Sequence, residues 1–215
     1  MEPKRYDYTH GTTPLRDKDP NDCRTGLNAT NRIEEPKLTN EAAVLHDCNG
    51  YEVWVGTNGN DLITGSDDKT NFIYSSWGND IVNGGDCVDH IAAGPGLNLA
   101  HGGAGEDRFY LGKFEKTTIL DFQPGDDKIV ISSGIMSNTL SGSKNGKSGT
   151  VEGIKVVKGE CGNAVIEAKI SGSCSYFYLQ GVSYDDATKD NSIYEDIYLL
   201  GEQKFGMENI EPLLG

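Results

Sequence analysis

Between residues 56 and 110 the chain repeats itself every nine residues, and no other feature of the sequence restricts the fold as tightly. In register, GTNGNDLIT (56–64) is followed by a degenerate ten-residue unit, GSDDKTNFIY (65–74). Then come SSWGNDIVN (75–83), GGDCVDHIA (84–92), AGPGLNLAH (93–101) and GGAGEDRFY (102–110). The sixth position reads Asp61, then Thr70 in the irregular second rung, then Asp80, Asp89, Asn98 and Asp107. The eighth reads Ile63, Phe72 or Ile73, Val82, Ile91, Ala100 and Phe109. No single rung can bury its apolar residue alone, so the rungs must stack.

The spacing predicts a turn and a short strand in each rung. Six glycine-rich residues form the turn, with Gly59, Gly65, Gly78, Gly85, Gly96 and Gly105 free to adopt positive φ. The last three residues form a strand whose central side chain points inward and whose flanking ones point outward. Successive strands fall on opposite sheets, so each rung stacks on the next but one at about 4.8 Å. Residues 56–110 hold the acids Asp61, Asp67, Asp68, Asp80, Asp86, Asp89, Glu106 and Asp107 against only Lys69 and Arg108. A thin apolar column cannot hold those turns together against six excess negative charges, and about three divalent cations would cancel them. Calcium suits the position, because it accepts six to eight oxygen ligands in tolerant geometry, backbone carbonyls included.

These residues resemble the RTX (repeats-in-toxin) nonapeptide GGxGxDxUx, which GGAGEDRFY matches at every defined position. The following segment, FEKTTILDFQPGDDKIVISSG, is similar to the one that closes the roll in serralysin-type metalloproteases and alginate-epimerase modules. The matching positions are Asp121, Phe122, Gly125, Asp127 and Ile129. The resemblance implies an all-β chain: a parallel β-roll of nonapeptide repeats capped by an antiparallel β meander, with an irregular N-terminal arm. It implies calcium between turns two rungs apart, at Asp61 with Asp80, Asp89 with Asp107, and Asp80 with Asn98. Asp121 and Asp127 would finish the terminal site, for about three or four ions in all. A site joining the second and fourth rungs is disfavoured by Thr70, and Cys87 replaces a turn glycine in the fourth. Secretion, with a structural, adhesive or substrate-targeting role, is the function this family suggests.

Outside the repeats the chain divides into a polar arm over 1–50, the roll with its cap over 51–135 and a β-rich C-terminal region over 136–215. Prolines break the arm, and only Asn40 to His46 has the composition for a helical turn. Further strands are expected at Thr118–Phe122, Lys128–Ser132, Gly153–Lys158, Ala164–Ile170, Tyr176–Gly181 and Ile193–Leu200. A net charge of −14 argues against nucleic acid and anionic membrane as partners. No apolar run is long enough to span a bilayer, and the first residues carry no apolar h-region of a signal peptide. The five cysteines match no zinc pattern.

No HExxH, GxSxG or P-loop is present, which leaves no protease, hydrolase or kinase motif. His90 and Arg108 share the seventh repeat position on alternate rungs, with Tyr110 beside them. That group is the candidate for a ligand or acid–base site, with an extracellular polysaccharide or a protein as the partner class. On the opposite sheet Leu62, Ile81 and Leu99 also share the seventh position. An exposed aliphatic stripe there calls for a cover: the arm, after which Tyr51, Val53 and Trp54 lead into the first rung, the meander, or a second subunit.

Overall fold

The computed structural model describes residues 43–48, 51–132 and 150–199. They form two seven-stranded sheets. Numbered in chain order, the first runs β1 (Ala43–Cys48), β2 (Tyr51–Val55), β4 (Thr70–Tyr74), β6 (His90–Ala92), β8 (Arg108–Leu111), β10 (Lys128–Ile131) and β14 (Ile197–Leu199). The second runs β11 (Val151–Lys158), β12 (Asn163–Ile170), β13 (Ser173–Ser183), β9 (Glu115–Ile119), β7 (Gly96–Gly103), β5 (Ile81–Gly85) and β3 (Leu62–Thr64). Alternate rungs therefore fall on alternate sheets, as the nine-residue period requires, and the chain makes a parallel β-roll.

The inward column is in strict register. Ile63 faces Val82, then Ala100, then Ile119 on one sheet. Ile73 faces Ile91, then Phe109, then Ile129, then Ile197 on the other. All nine are buried and belong to one cluster, which continues through Ile154, Ile166, Phe177 and Leu179 of the C-terminal strands. Each fully buried side chain of this kind stabilises the fold by about 1.5–3 kcal/mol.

The register corrects the expectation for the second rung. Phe72 pairs with His90 and Ile73 with Ile91, so Asn71, not Thr70, aligns with Asp89. The extra residue is absorbed in the turn. Asn71 Oδ1 accepts from Ser66 N at 2.9 Å while Nδ2 donates to Ser66 O at 2.9 Å, so one amide holds both main-chain groups of Ser66.

Two further expectations change. Ala43–Cys48 is a strand rather than a helical turn, because β2 would otherwise leave a sheet edge unpaired and β1 closes it antiparallel. The remainder of the arm lies outside the described residues. The antiparallel meander β11–β12–β13 caps the roll as expected, with β13 paired parallel to β9, the last rung strand of the second sheet. Ile193 lies in a 3₁₀ stretch, Lys189–Asp196, which follows a short helix, Tyr184–Thr188, capped by Ser183. Only Ile197–Leu199 is strand there. Cys161 is disulfide-bonded, whereas Cys87 and Cys174 are free.

The aliphatic stripe is not open to water. Ile81 and Leu99 are 3% and 1% exposed, with Leu62, Leu97 and Leu120 partly buried against them. Tyr51, Val53 and Trp54 are not its cover, since they lie in β2 of the other sheet. Trp54 instead packs on the main core, its Nε1 donating to Asn71 Oδ1 at 3.2 Å.

Glycine is required in the turns for two separable reasons. Gly103 has φ of +109° and a Cβ there would collide with the carbonyl oxygen of Gly85 in the stacked turn. Gly125 has φ of +93° but open space around it. Gly125→Ala therefore costs only the left-handed backbone strain, about 1–2 kcal/mol. Gly103→Ala must also displace a neighbouring turn and costs about 3–4 kcal/mol. Urea melts in saturating calcium separate the two; equal losses would contradict this stacking of turns.

Candidate metal centre

The turns stack in two columns along the edges of the roll. One column holds turns 56–61, 75–80, 93–98 and 112–117; the other holds 65–71, 84–89, 102–107 and 121–127. In each, the sixth-position side chain reaches back to the sixth-position N–H of the turn before it. Asp61 N donates to Asp80 Oδ1 and Asp80 N to Asn98 Oδ1, both at 2.9 Å. In the second column Asn71 N donates to Asp89 Oδ1 at 2.7 Å, Asp89 N to Asp107 Oδ1 at 2.8 Å and Asp107 N to Asp127 Oδ1 at 3.0 Å. The pairs expected from sequence are thus neighbours, and Asn71–Asp89 and Asp107–Asp127 join them.

The second carboxylate oxygen closes the residue's own turn. Thr57 N donates to Asp61 Oδ2 at 2.6 Å, Gly85 N to Asp89 Oδ2 at 2.5 Å and Gln123 N to Asp127 Oδ2 at 2.8 Å. Asp80 and Asp107 break that pattern. Their Oδ2 atoms are buried and unpartnered. For Asp107 the reason is local: Gly103 N, which would serve it, donates to Asp121 Oδ2 at 2.8 Å. Asp121 also accepts from Gly102 N at 2.9 Å and lies 3.4 Å from His101 Nε2.

Burial of these carboxylates is costly. It pushes Asp80 up to about 7 and Asp107 up to about 8, the latter with added repulsion from Asp127, Asp89 and Asp121. Asp127 is raised to about 6, again chiefly by burial. Glycines leave room beside the oxygens: a Cβ on Gly102 would collide with Asp107 Oδ2, and one on Gly78 with the Gly59 carbonyl and Asp80 Oδ1. The donor set is therefore carboxylate and carbonyl oxygen. Among the described residues no three His, Cys, Asp or Glu side chains converge on one point. A cation here would draw on turn carbonyls as well as carboxylates, which suits calcium and not zinc.

Residues 55–86 and 88–114 match the profile of the RTX calcium-binding nonapeptide repeat (4 copies). The roll is a run of RTX repeats. An RTX roll binds calcium, and the orphan oxygens of Asp80 and Asp107 fit that ion. Among solved structures, the chain is similar to the solution structure of the AlgE6R3 subunit of the Azotobacter vinelandii mannuronan C5-epimerase, at 19% identity. That likeness covers 82% of this chain and 92% of that one, with a TM-score of 0.33. No curated protein matches the chain in sequence. Among the described residues no helix is long and apolar enough to cross a membrane.

The RTX register runs further than the sixth rung. GKFEKTTIL (112–120) is a seventh unit, with Thr117 at the sixth position and Ile119 at the eighth. In it Glu115 stands opposite Gly96, where a turn glycine belongs. Its buried carboxylate accepts from Gly112 N at 2.8 Å and Thr117 Oγ1 at 3.1 Å, and burial raises it to about 8. Writing out the seventh rung would have exposed this substitution. Phe122 and Ile129, expected in the cap, lie in the core.

His90, Arg108 and Tyr110 are brought together, but as a closed set. Arg108 Nη1 donates to His90 Nε2 at 3.2 Å, which leaves the ring proton on Nδ1 for Tyr110 Oη at 2.8 Å. Burial, with the Arg108 charge, lowers His90 to about 4, so it is neutral at physiological pH. Phe72 covers one ring face, its centroid 4.4 Å away and its plane within 16°. Rings stacked at the spacing of adjacent strands stand upright on the sheet and show their edges to solvent.

The raised carboxylates make stability depend on pH with a sign that calcium reverses. Their folded values lie above the unfolded one near 4, so the calcium-stripped roll is favoured at low pH and loses stability as pH rises through about 6–8. Calcium needs the ionised form and inverts the slope. Circular dichroism at pH 5 and pH 8 should show opposite trends, the stripped roll keeping more β signal at pH 5 and the calcium-loaded roll melting higher at pH 8. Parallel trends would mean that these aspartates do not hold the ion.

Proposed function

We propose that this chain is a secreted calcium-dependent β-roll module with a structural, adhesive or substrate-targeting role. Asp61, Asp80, Asp89, Asp107, Asp121 and Asp127, with the amide oxygen of Asn98, supply the side-chain ligands for about three or four ions. The observation that carries this reading is the pair of buried, unpartnered carboxylate oxygens on Asp80 and Asp107 within stacked glycine turns. In water-free surroundings an uncompensated carboxylate is strongly destabilising, and a divalent ion shared between adjacent turns removes that penalty while cancelling their repulsion. Extracellular calcium, abundant relative to that inside cells, is the natural supply for sites of modest affinity.

An enzyme acting on an extracellular polysaccharide through His90, Arg108 and Tyr110 is the weaker reading. A general acid or base needs a nitrogen free to meet its substrate. Both nitrogens of His90 are engaged within the sheet.

The test is circular dichroism of the full chain, stripped of calcium at neutral pH and then titrated with it. Removal is expected to abolish the β signal of the roll and calcium to restore it, each site adding about 2.7 kcal/mol at one hundred times its Kd. An unchanged signal and melting temperature in the stripped protein would defeat the proposal. A second comparison ranks ligands: Asp107→Ala should weaken calcium binding more than Asn98→Ala, because only the first removes a formal charge. Equal losses by titration calorimetry would refute the assignment of Asp107.

A further inference from the structure

The second column of turns does not end on a bare carboxylate. Beyond Asp127 lies Lys128, whose ammonium donates to Asp196 Oδ1 at 2.8 Å, to the Gly125 carbonyl at 2.8 Å and to the Asp127 carbonyl at 3.1 Å. All three of its donors are satisfied by oxygen. Asp196 is brought there by β14, which pairs parallel with β10, and its other oxygen accepts from Gly125 N at 2.7 Å. The carboxylate is 3% exposed. An ammonium is a compact point charge without the fixed fork of a guanidinium, so it can sit on carbonyls and carboxylate much as a metal ion does.

We infer that Lys128 is a tethered cation that closes the acidic column, doing for its last turn what calcium does between the turns before it. The inference rests on the calcium reading of those turns. Each earlier turn in the column is followed by another whose carboxylate reaches back to it; the last is followed instead by Lys128 and Asp196. Two carbonyls of turn 121–127, facing away from the roll, would otherwise repeat the oxygen surface that needs an external ion. A terminal unit of a stacked array needs a different outer surface from the interior ones, and here that surface includes a positive charge from the chain itself. The seat is specific in composition: two main-chain oxygens and one carboxylate around a single cation.

The test uses the full chain with Lys128→Met, which removes the charge and keeps the stem, Lys128→Arg, which keeps a cation, and Asp196→Asn. Thermal midpoints are measured against calcium concentration, and bound calcium is counted at saturation. Lys128→Met opens the oxygen seat to a free ion. It should lower the midpoint at limiting calcium, steepen its dependence on the logarithm of calcium by about one ion, and recover toward the wild-type midpoint at high calcium. Lys128→Arg should keep the wild-type slope and count. Asp196→Asn should lower the midpoint with no added ion, because the ammonium remains. If Lys128→Met lowers the midpoint equally at all calcium concentrations, with an unchanged count, Lys128 is an ordinary ion-pair partner and the inference falls. If Lys128→Met does not fold, then Lys128→Gln, neutral but still able to donate to the carbonyls, decides by the same readouts: an unchanged slope and count in that variant would equally overturn it. Should the wild-type chain itself bind no calcium, the failure belongs to the calcium reading and the variants would show no calcium dependence of any kind.

Discussion

Stacking turns at strand spacing forces their sixth-position carboxylates into contact with one another's backbone, and the roll depends on how that charge is compensated. Hydrogen bonds do part of the work. In Asp89 and Asp127, Oδ1 accepts the N–H of the preceding turn while Oδ2 accepts one from the residue's own turn. The same bonds bury the carboxylates, and burial in a region of low polarity favours the neutral acid. Asp80 and Asp107, each with an oxygen left over, carry the largest conflict among the stacked aspartates. On the function proposed above a shared divalent ion would resolve it, since calcium tolerates the mixed set of carboxylate and carbonyl oxygens that glycine turns leave available.

The two columns resolve that conflict differently as they approach the C-terminal end. In the first, charge thins out, from Asp61 and Asp80 to Asn98 and then Thr117, while Glu115 enters from the turn-glycine position with a carboxylate enclosed by N–H and hydroxyl donors. In the second, charge persists through Asp89, Asp107 and Asp127, with Asp121 alongside, and the column ends against Lys128 and Asp196. This asymmetry places the strongest demand for an external cation in the second column. It also explains why the C-terminal strands are integral to the roll. β14 delivers Asp196 and Ile197 together, one to the end of the acidic column and the other to the apolar one.

The outer faces follow from the same period. Seventh-position side chains on alternate rungs meet, so one sheet carries Ile81 and Leu99, buried with Leu62, Leu97 and Leu120 against them, and the other carries Phe72, His90 and Arg108. On the latter, upright rings and a neutral imidazole held at both nitrogens make a ladder that stabilises strand pairing. Such a ladder presents no ring face to a sugar and no free base to a substrate.

How much of this was legible in the residues follows from which interactions are local. The period of nine dictated the turn–strand unit, the alternation between sheets and the identity of the inward column, because one apolar residue per rung can be buried in only one way. It also named the aspartates that the stack brings together. Where the period slipped, the sequence left Phe72 or Ile73 open and pointed to Thr70 at the position that Asn71 occupies. Pairing with His90 and Ile91 decided both, since only that register seats Ile73 in the core and lets the Asn71 amide close its own turn. Fine geometry was likewise beyond the sequence. The residues lining a turn do not reveal which N–H groups Asp121 will claim, and that claim is what leaves Asp107 Oδ2 bare. Lys128 and Asp196 are separated by 68 positions, and only the parallel pairing of β14 with β10 puts one against the other. Repetition along the chain determined the rungs; what ends them depended on contacts between distant segments, which only the tertiary structure could bring together.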